Sequence, residues 1–362
     1  MTSGSGYKHP TMTLGLFSML GVLVAESIAL PGGPPVGIDY TAYDPAESRL
    51  WIPAGNTGNV DVIRATRDGH PTLETVGGFA TAPPPPNRPD RPRMGPSSVA
   101  IAGDLVWIGN RADHRLCAVG ARTLRKGPCK TIEAMPDGLA YVAGTRELWV
   151  TTPRALGITI VDITDIHANR APSTAIAKAK AKANGFIKLD GQPEGYAVDP
   201  ARGIFYTNLE DRDRTLAIDV KTRQTVGSWS PGCGAEGPRG LALDAARGEL
   251  LVACTNGVVA LDVGSTGGGG STGTGRVTGR ISTGGGVDNL DYDPRTGLVY
   301  VASAADGVLT FARLDAKGAL AVVGKATTAP GARNAVIDVQ GTAYVPDSAR
   351  GRMIVVRPPP AN

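Results

Sequence analysis

Residues 289–303 read NLDYDPRTGLVYVAS, which is an apolar strand, a tight Asp-Pro turn and a second apolar strand. The same unit occurs as IDYTAYDPAESRLWIPAG at 38–55, GYAVDPARGIFYTN at 195–208 and GLALDAARGELLVAC at 240–254. Degenerate copies at 98–110, 138–152 and 335–347 bring the number of units to seven. Because each unit has an apolar face that it cannot bury alone, the copies are expected to pack against one another.

Third and fourth strands follow several of these units, with a period of roughly 40–50 residues that is typical of propeller blades. The last unit stops after its third strand, at RMIVVR (352–357), while an unassigned strand, LVAESIAL (23–30), precedes the first unit. The sequence therefore predicts an all-β, seven-bladed β-propeller with four-stranded antiparallel blades. We expect the N-terminal strand to close the ring by joining the C-terminal blade.

The predicted organisation is one propeller domain at 22–357, with a C-terminal tail at 358–362. Residues 1–21 are either an intact tail or part of an export signal, and the apolar stretch at 14–25 is too short to span a bilayer. Two insertions interrupt the blades. The first is the proline-rich insertion at 79–94, expected to be an extended loop, and the second is an Ala-Lys segment at 165–186, expected to form a short surface helix or a mobile loop.

The charge distribution argues against nucleic acid as a partner. The formal net charge is only +4, and the basic residues are scattered apart from short clusters. We expect a monomer without a membrane span.

Five aspartates recur at the turn between the first and second strands of a unit, where their side chains can cap the turn backbone. We therefore assign them to structure rather than to chemistry. They are Asp44, Asp199, Asp244, Asp293 and Asp338.

The stretches CGAEGPRGLALDAARGELLVACTNGVVALDV (233–263) and GRISTGGGVDNLDYDPRTGLVYVASAADGVLTF (279–311) resemble the YncE-like, or YVTN-repeat, family of seven-bladed propellers. The stretch SIALPGGPPVGIDYTAYDPAESRLWIPAG (27–55) is similar to the first blade of that family. The resemblance implies the propeller fold and a protein that is often exported. It implies no particular reaction, because related propellers include lactonases, lyases and haem-bearing domains.

The four cysteines form two local couples, Cys117 with Cys129 and Cys233 with Cys254. Each couple suits either a disulfide or two buried free thiols, and the absence of a C-x-x-C motif argues against redox chemistry. The even count and the family resemblance favour an exported or periplasmic protein, while the poor signal segment leaves a cytoplasmic location open.

Aligning the seven units on their turns identifies the residue that opens each inner strand, and strand starts in a propeller converge on one mouth of the axial channel. We call these seven the ring residues. They are Asp39, Ser97, Asp137, Glu194, Arg239, Asp288 and Arg333.

Three interpretations of this ring are open. Arg239 and Arg333 can pair with the carboxylates and plug the channel, or they can hold a carboxylate or phosphate of a small ligand that Tyr40, Ser97 and Asn334 also contact. Alternatively, oxygen ligands from Asp39, Asp288 and Asn289 can hold Ca²⁺ or Mg²⁺. No other cofactor is expected.

Two functions follow from these interpretations. The first is binding of a small anionic ligand, a peptide or a partner protein at the channel mouth. The second is an enzyme, either a metal-assisted, lactonase-like hydrolase or a lyase or isomerase acting on a carboxylated small molecule. In an enzyme, Glu194 or Asp137 is the expected general base, with Arg239 and Arg333 stabilising a developing oxyanion.

Overall fold

The computed structural model describes residues 25–64, 71–166, 185–265 and 273–359. These residues form seven separate four-stranded antiparallel sheets, which confirms the predicted seven-bladed propeller. Residues 1–21 and nearly all of the predicted helix or loop at 165–186 lie outside the described residues.

The strands are given blade by blade. Blades 1 to 4 are β2(Ala42–Asp44), β3(Arg49–Ala54), β4(Asn59–Arg64), β5(Thr72–Val76); β6(Pro96–Ala102), β7(Leu105–Asn110), β8(Arg115–Gly120), β9(Lys126–Thr131); β10(Leu139–Val142), β11(Glu147–Thr152), β12(Gly157–Asp162), β13(Gly185–Lys188); and β14(Pro193–Asp199), β15(Ile204–Leu209), β16(Arg214–Asp219), β17(Thr225–Trp229). Blades 5 to 7 are β18(Pro238–Asp244), β19(Glu249–Cys254), β20(Gly257–Asp262), β21(Val277–Ser282); β22(Leu290–Asp293), β23(Leu298–Ser303), β24(Val308–Leu314), β25(Leu320–Thr327); and β26(Val336–Ile337), β27(Ala343–Asp347), β28(Arg352–Val356), β1(Ala25–Ala29).

The apolar core lies between the blades. The second strand of a blade, such as β7 or β23, is buried at every position because neighbouring blades cover both of its faces. The core divides into seven clusters, and each cluster combines residues of two consecutive blades. Between blades 3 and 4, for example, the rings of Trp149 and Phe205 lie 5.0 Å apart. Each blade is therefore stabilised by burying apolar surface against both of its neighbours.

Strand β1 closes the ring as predicted. It pairs antiparallel with β28, with Ala25 opposite Val356 and Ile28 opposite Met353. Ile28 packs against the cluster that joins blade 7 to blade 1, so both ends of the chain contribute to one sheet and one interface.

The turn aspartates have the structural role that the sequence predicts. Asp199 is fully buried, its Oδ1 accepts a hydrogen bond of 3.0 Å from the backbone N–H of Ala201, and its Oδ2 lies 2.7 Å from Nε of Arg202. The Oδ1 atoms of Asp44 and Asp293 accept equivalent bonds of 3.0 Å from the residues two positions on. The first turn of these blades is thus fixed by its own carboxylate.

Both cysteine couples are disulfides. The Cys117–Cys129 bond joins β8 to β9, and the Cys233–Cys254 bond ties the approach to β18 to the end of β19. Of the two alternatives that the sequence leaves open, the structure contains the disulfides. Within the four described ranges, no helix has the length and apolar character needed to cross a membrane.

Loss of β1 is expected to destabilise the whole ring. A chain that begins at residue 30 lacks the partial burial of Ile28 and the backbone pairing of β1 with β28, whose hydrogen bonds contribute roughly 1 kcal/mol each. We expect its melting temperature to lie about 5 °C or more below that of a control chain that begins at residue 25. Equal melting temperatures in calorimetry would contradict this closure.

Candidate functional site

Three of the ring residues, Ser97, Glu194 and Arg239, lie at irregularities near the starts of their inner strands. Strands β6, β14 and β18 each carry a β-bulge there, whose extra residues are Ser97 in β6, Gly195 in β14, and Arg239 with Gly240 in β18. A bulge bends the strand and re-aims a side chain. Gly195 has φ +56°, and a Cβ there would lie 2.3 Å from the backbone oxygen of Arg239, so only glycine fits.

The other four ring residues lie just before their inner strands rather than in them. They are Asp39, Asp137, Asp288 and Arg333. The alignment of the sequence repeats thus finds the correct end of each blade, although the regular strand starts two or three residues later at these four positions.

Hydrogen bonds to backbone oxygens of the ring residues link consecutive blades around the mouth. Each of these bonds connects one blade to the next, from blade 5 through blades 6, 7 and 1 to blade 2, and thereby fixes the side chains relative to one another. The bonds are Gly240 N to Asp288 O (2.8 Å), Asp288 N to Arg333 O (3.2 Å), Asn334 Nδ2 to Asp39 O (3.3 Å) and Tyr40 N to Ser97 O (3.0 Å).

Asp39 is the centre of the charged network. One of its carboxylate oxygens lies 2.8 Å from Nη2 of Arg111, which also contacts Asp137, and the other lies 3.6 Å from Nη2 of Arg333. Nε of Arg333 lies 3.4 Å from Asp288. Burial opposes the charge of Arg111, but Asp137 and Asp39 outweigh it and raise the pKa of Arg111. The network therefore keeps its guanidinium groups charged.

Two members of this network are missed by the sequence analysis. Arg111 directly follows β7, and Glu210 directly follows β15 and forms an ion pair with Arg239. In an antiparallel pair the second strand ends where the first begins, which brings both side chains to the mouth. The residue that directly follows the second strand of each unit is therefore the sequence feature that identifies Arg111 and Glu210.

Glu194 and Asp137 form a coupled carboxyl pair beneath Tyr40. The Tyr40 hydroxyl donates a 2.9 Å hydrogen bond to Glu194, and its oxygen lies 3.5 Å from a carboxyl oxygen of Asp137. Burial, followed by the charge of Asp137, raises the pKa of Glu194 well above its usual range. Burial also raises the pKa of Asp137, although Arg111 and a hydrogen bond from Glu194 favour its ionised form. Two adjacent carboxyl groups in an enclosed site share one proton more readily than they ionise twice.

Asp288 titrates in the physiological range. Burial raises its pKa to about 6, although Arg333 beside it favours the ionised form. Burial also opposes the charge of Arg333, while Asp288 and Asp39 raise the pKa of this arginine. Protonation of Asp288 thus weakens one of the two ion pairs of Arg333.

These side chains surround a cavity of about 590 Å³ at the mouth. A second cavity of about 390 Å³ lies between the mouth and the proline-rich insertion. Both cavities are bordered by the same seven charged side chains and are therefore adjoining parts of one mouth. The shared residues are Asp39, Arg88, Arg91, Arg111, Asp137, Glu194 and Glu210.

A third cavity, of about 600 Å³, lies on the other side of Tyr40. Its wall includes Tyr40, Asn289 and Asn334, together with the turn ends of blades 1, 6 and 7. Of the predicted site residues, Tyr40, Asn289 and Asn334 border this third cavity, and Asp39 borders both this cavity and the mouth.

The residues predicted as ligand contacts have partners inside the protein. The amide of Asn334 accepts a 3.1 Å bond from the backbone N–H of Asn289 and donates to Asp39 O. The Ser97 hydroxyl borders the cavity under the insertion and donates a long bond, 3.5 Å, to Gly109 O. Tyr40 is held by the carboxyl pair. Their contact with a ligand stays a prediction.

The predicted Ca²⁺ or Mg²⁺ site does not fit the arrangement around Arg333. Asp39 and Asp288 both face this guanidinium, which already supplies positive charge, and Asn289 borders the third cavity while Asp288 borders the mouth. Among the described residues, no group of three or more His, Cys, Asp or Glu is arranged to hold a metal ion.

The sequence matches no family model and no curated protein. The structure is similar to a chain of the mitotic checkpoint complex (TM-score 0.69, 10% identity, 99% of this chain and 98% of that chain) and to the β-propeller domain of Cps50 (Swd1) from Myceliophteria thermophila (TM-score 0.68, 9% identity, 93% and 100%). It is also similar to virginiamycin B lyase from Staphylococcus aureus (TM-score 0.65, 11% identity, 93% and 100%). At these identities the similarity shows the propeller fold alone, so the YncE-like assignment stays a prediction.

Proposed function

We propose that this protein binds a small anionic molecule at the mouth of its central channel. The observation that supports the proposal is the incomplete pairing of the Arg333 guanidinium. Its contacts of 3.6 and 3.4 Å to Asp39 and Asp288 are longer than good N–H···O hydrogen bonds, and 42% of its side chain is exposed. Arg333 therefore keeps donors for the two oxygens of a ligand carboxylate.

The size of the mouth favours a small molecule over a peptide or a partner protein. A volume of about 590 Å³ falls within the range of small-molecule pockets, roughly 300–1,000 Å³. One of the similar structures is a chain of the mitotic checkpoint complex, which is a protein assembly, so a protein partner is the alternative occupant of this mouth. The two disulfides support our placing the protein in an oxidising, exported location.

Removing Arg333 is expected to abolish most of the binding. Acetate, pyruvate and lactate should raise the melting temperature of the unmodified protein, and Arg333→Ala should weaken the best of them at least about tenfold, because a charge-assisted bidentate contact is lost. Arg333→Lys keeps the positive charge without the paired guanidinium donors, so its affinity should lie between those of the unmodified protein and Arg333→Ala. Titration calorimetry gives the affinities.

Arg313→Ala is the control, since Arg313 is an exposed arginine that does not border the mouth. The proposal fails when none of the three anions binds, or when Arg333→Ala binds them as well as the unmodified protein does.

Binding should tighten as the pH falls through about 6. An anion at Arg333 replaces the Asp288 carboxylate, so binding raises the pKa of Asp288 and takes up a proton, and reciprocity requires higher affinity at lower pH. Methanesulfonate keeps its charge between pH 5.5 and 7.5, and its affinity should rise about three- to tenfold over that interval. Asp39, Asp137, Arg239 and Arg333 are the charged groups around Asp288 that set this response.

Asp288→Asn should remove most of this pH dependence, whereas Asp104→Asn, at an exposed turn position, should leave it intact. An affinity that is flat with pH in the unmodified protein would show that the ligand does not compete with Asp288.

A second candidate function is acid–base catalysis on the bound anion, and the Asp137–Glu194 pair is the observation that favours it. A pair that shares one proton can accept a proton from a carbon beside a ligand carboxylate and return one to a neighbouring carbon, as an isomerase requires. Arg239 and Arg333 border the same cavity and would stabilise the developing negative charge.

Glu194→Gln separates this candidate from binding alone. For an enzyme, exchange of the ligand's carbon-bound hydrogen for deuterium, followed by NMR in D₂O, should fall at least about a hundredfold in the variant while the affinity changes little. Absence of exchange for every anion that the unmodified protein binds would leave binding as the function.

A further inference from the structure

We infer that the ligand carries two anionic groups, one held by Arg333 in the ring and the other by Arg88 and Arg91 of the proline-rich insertion. This inference rests on the proposed function and specifies its ligand class as a dianion of the dicarboxylate or phosphorylated carboxylate type.

The insertion is held over the mouth by its own base. Ala82 and Met94 exchange two backbone hydrogen bonds of 3.0 and 2.8 Å, and Nη2 of Arg93 donates to Thr81 Oγ1 at 3.2 Å. Close to this base, Pro92 lies beside Gly37 on the approach to blade 1, where a Cβ on Gly37 would be 3.7 Å from Pro92. These contacts anchor the segment between them above the ring.

Two successive turns in this segment contain Arg88 and Arg91. The backbone N–H of Arg88 donates to Pro85 O at 2.8 Å, and that of Arg91 donates to Arg88 O at 3.2 Å. Arg88 and Arg91 are three residues apart across such a turn, and both border the cavities of the mouth. The proline content restricts the backbone of this segment, which lowers the entropic cost of holding a ligand there.

These two arginines differ from the arginines of the network. Arg111, Arg239 and Arg333 each have a carboxylate partner. Across the described ranges, no carboxylate lies within ion-pair distance of Arg88 or Arg91, whose side chains are exposed towards solvent and the mouth. Their hydrogen-bond donors are available to a second anionic group.

The distribution of charge at the mouth fits a ligand with two separated anionic groups. Five carboxyl and five guanidinium groups border the cavity, and all five carboxyl groups belong to the blades, together with Arg111, Arg239 and Arg333. The unpaired positive charge is on the insertion, while the replaceable carboxylate, Asp288, is in the ring. A ligand with two anionic groups can therefore pair with the insertion arginines and replace Asp288 at Arg333.

The test compares a monocarboxylate with dicarboxylates of increasing length at constant ionic strength and pH 7.5. We expect one member of the series malonate, succinate, glutarate and adipate to bind at least about tenfold more tightly than acetate, because a second charge-assisted contact forms. In the double variant Arg88→Ala/Arg91→Ala this preference should fall to about twofold or less, with the acetate affinity nearly unchanged. Inorganic phosphate carries both negative charges on one compact group. Its affinity therefore shows whether a single group of arginines binds both charges.

The control is Arg64→Ala/Arg313→Ala, which removes the same net charge at exposed positions outside the mouth and should keep the preference. Three results would overturn the inference: equal affinities for acetate and every dicarboxylate, equal weakening of both by the insertion variant, or phosphate binding as tightly as the best dicarboxylate. Failure of all carboxylates to bind would instead overturn the proposed function itself.

Discussion

The structure depends on the contact between the inner strands of neighbouring blades at the channel mouth. Backbone hydrogen bonds connect Asp288 to Arg333 and Tyr40 to Ser97 in consecutive blades, and the Asn334 side chain donates to Asp39 O across the closure between blades 7 and 1. Glycines make this contact possible, since a side chain at Gly240 would collide with Asn289. The pairing of β1 with β28 keeps the circle closed, and so holds the charged side chains at fixed distances from one another.

Fixed distances determine the electrostatics of the mouth. Carboxylates and guanidinium groups are both costly to enclose, and each offsets the cost of the other only while they remain paired. Arg111 is tightly held between two carboxylates, whereas the longer contacts of Arg333 leave it open to exchange. A ligand anion at Arg333 therefore replaces the Asp288 carboxylate, which is already paired with this arginine. The affinity for the anion consequently depends on the protonation of Asp288.

The sequence predicts the seven blades, the ring closure and the roles of turn residues such as Asp199, because these features follow from a repeat that needs no long-range information. It also places the ring residues at one mouth. It does not predict Arg111 or Glu210, since the end of a second strand reaches the mouth only through antiparallel register. The sequence also does not predict that Arg88 and Arg91 border the mouth. The path of an insertion depends on contacts such as that of Pro92 with Gly37 rather than on the repeat. The raised pKa values of Asp137 and Glu194 depend on how blades 3 and 4 enclose the two carboxyl groups, which no local pattern contains.

Anion binding by Arg333 is tested most directly by a crystal structure of the protein soaked in selenate, with the selenium located by its anomalous scattering. A selenium peak is expected in the mouth, within hydrogen-bond distance of the Arg333 guanidinium, and it should disappear in crystals of Arg333→Ala. A mouth in which Arg333 and Asp39 point away from a common cavity, or selenate bound only on the outer surface of the blades, would contradict it.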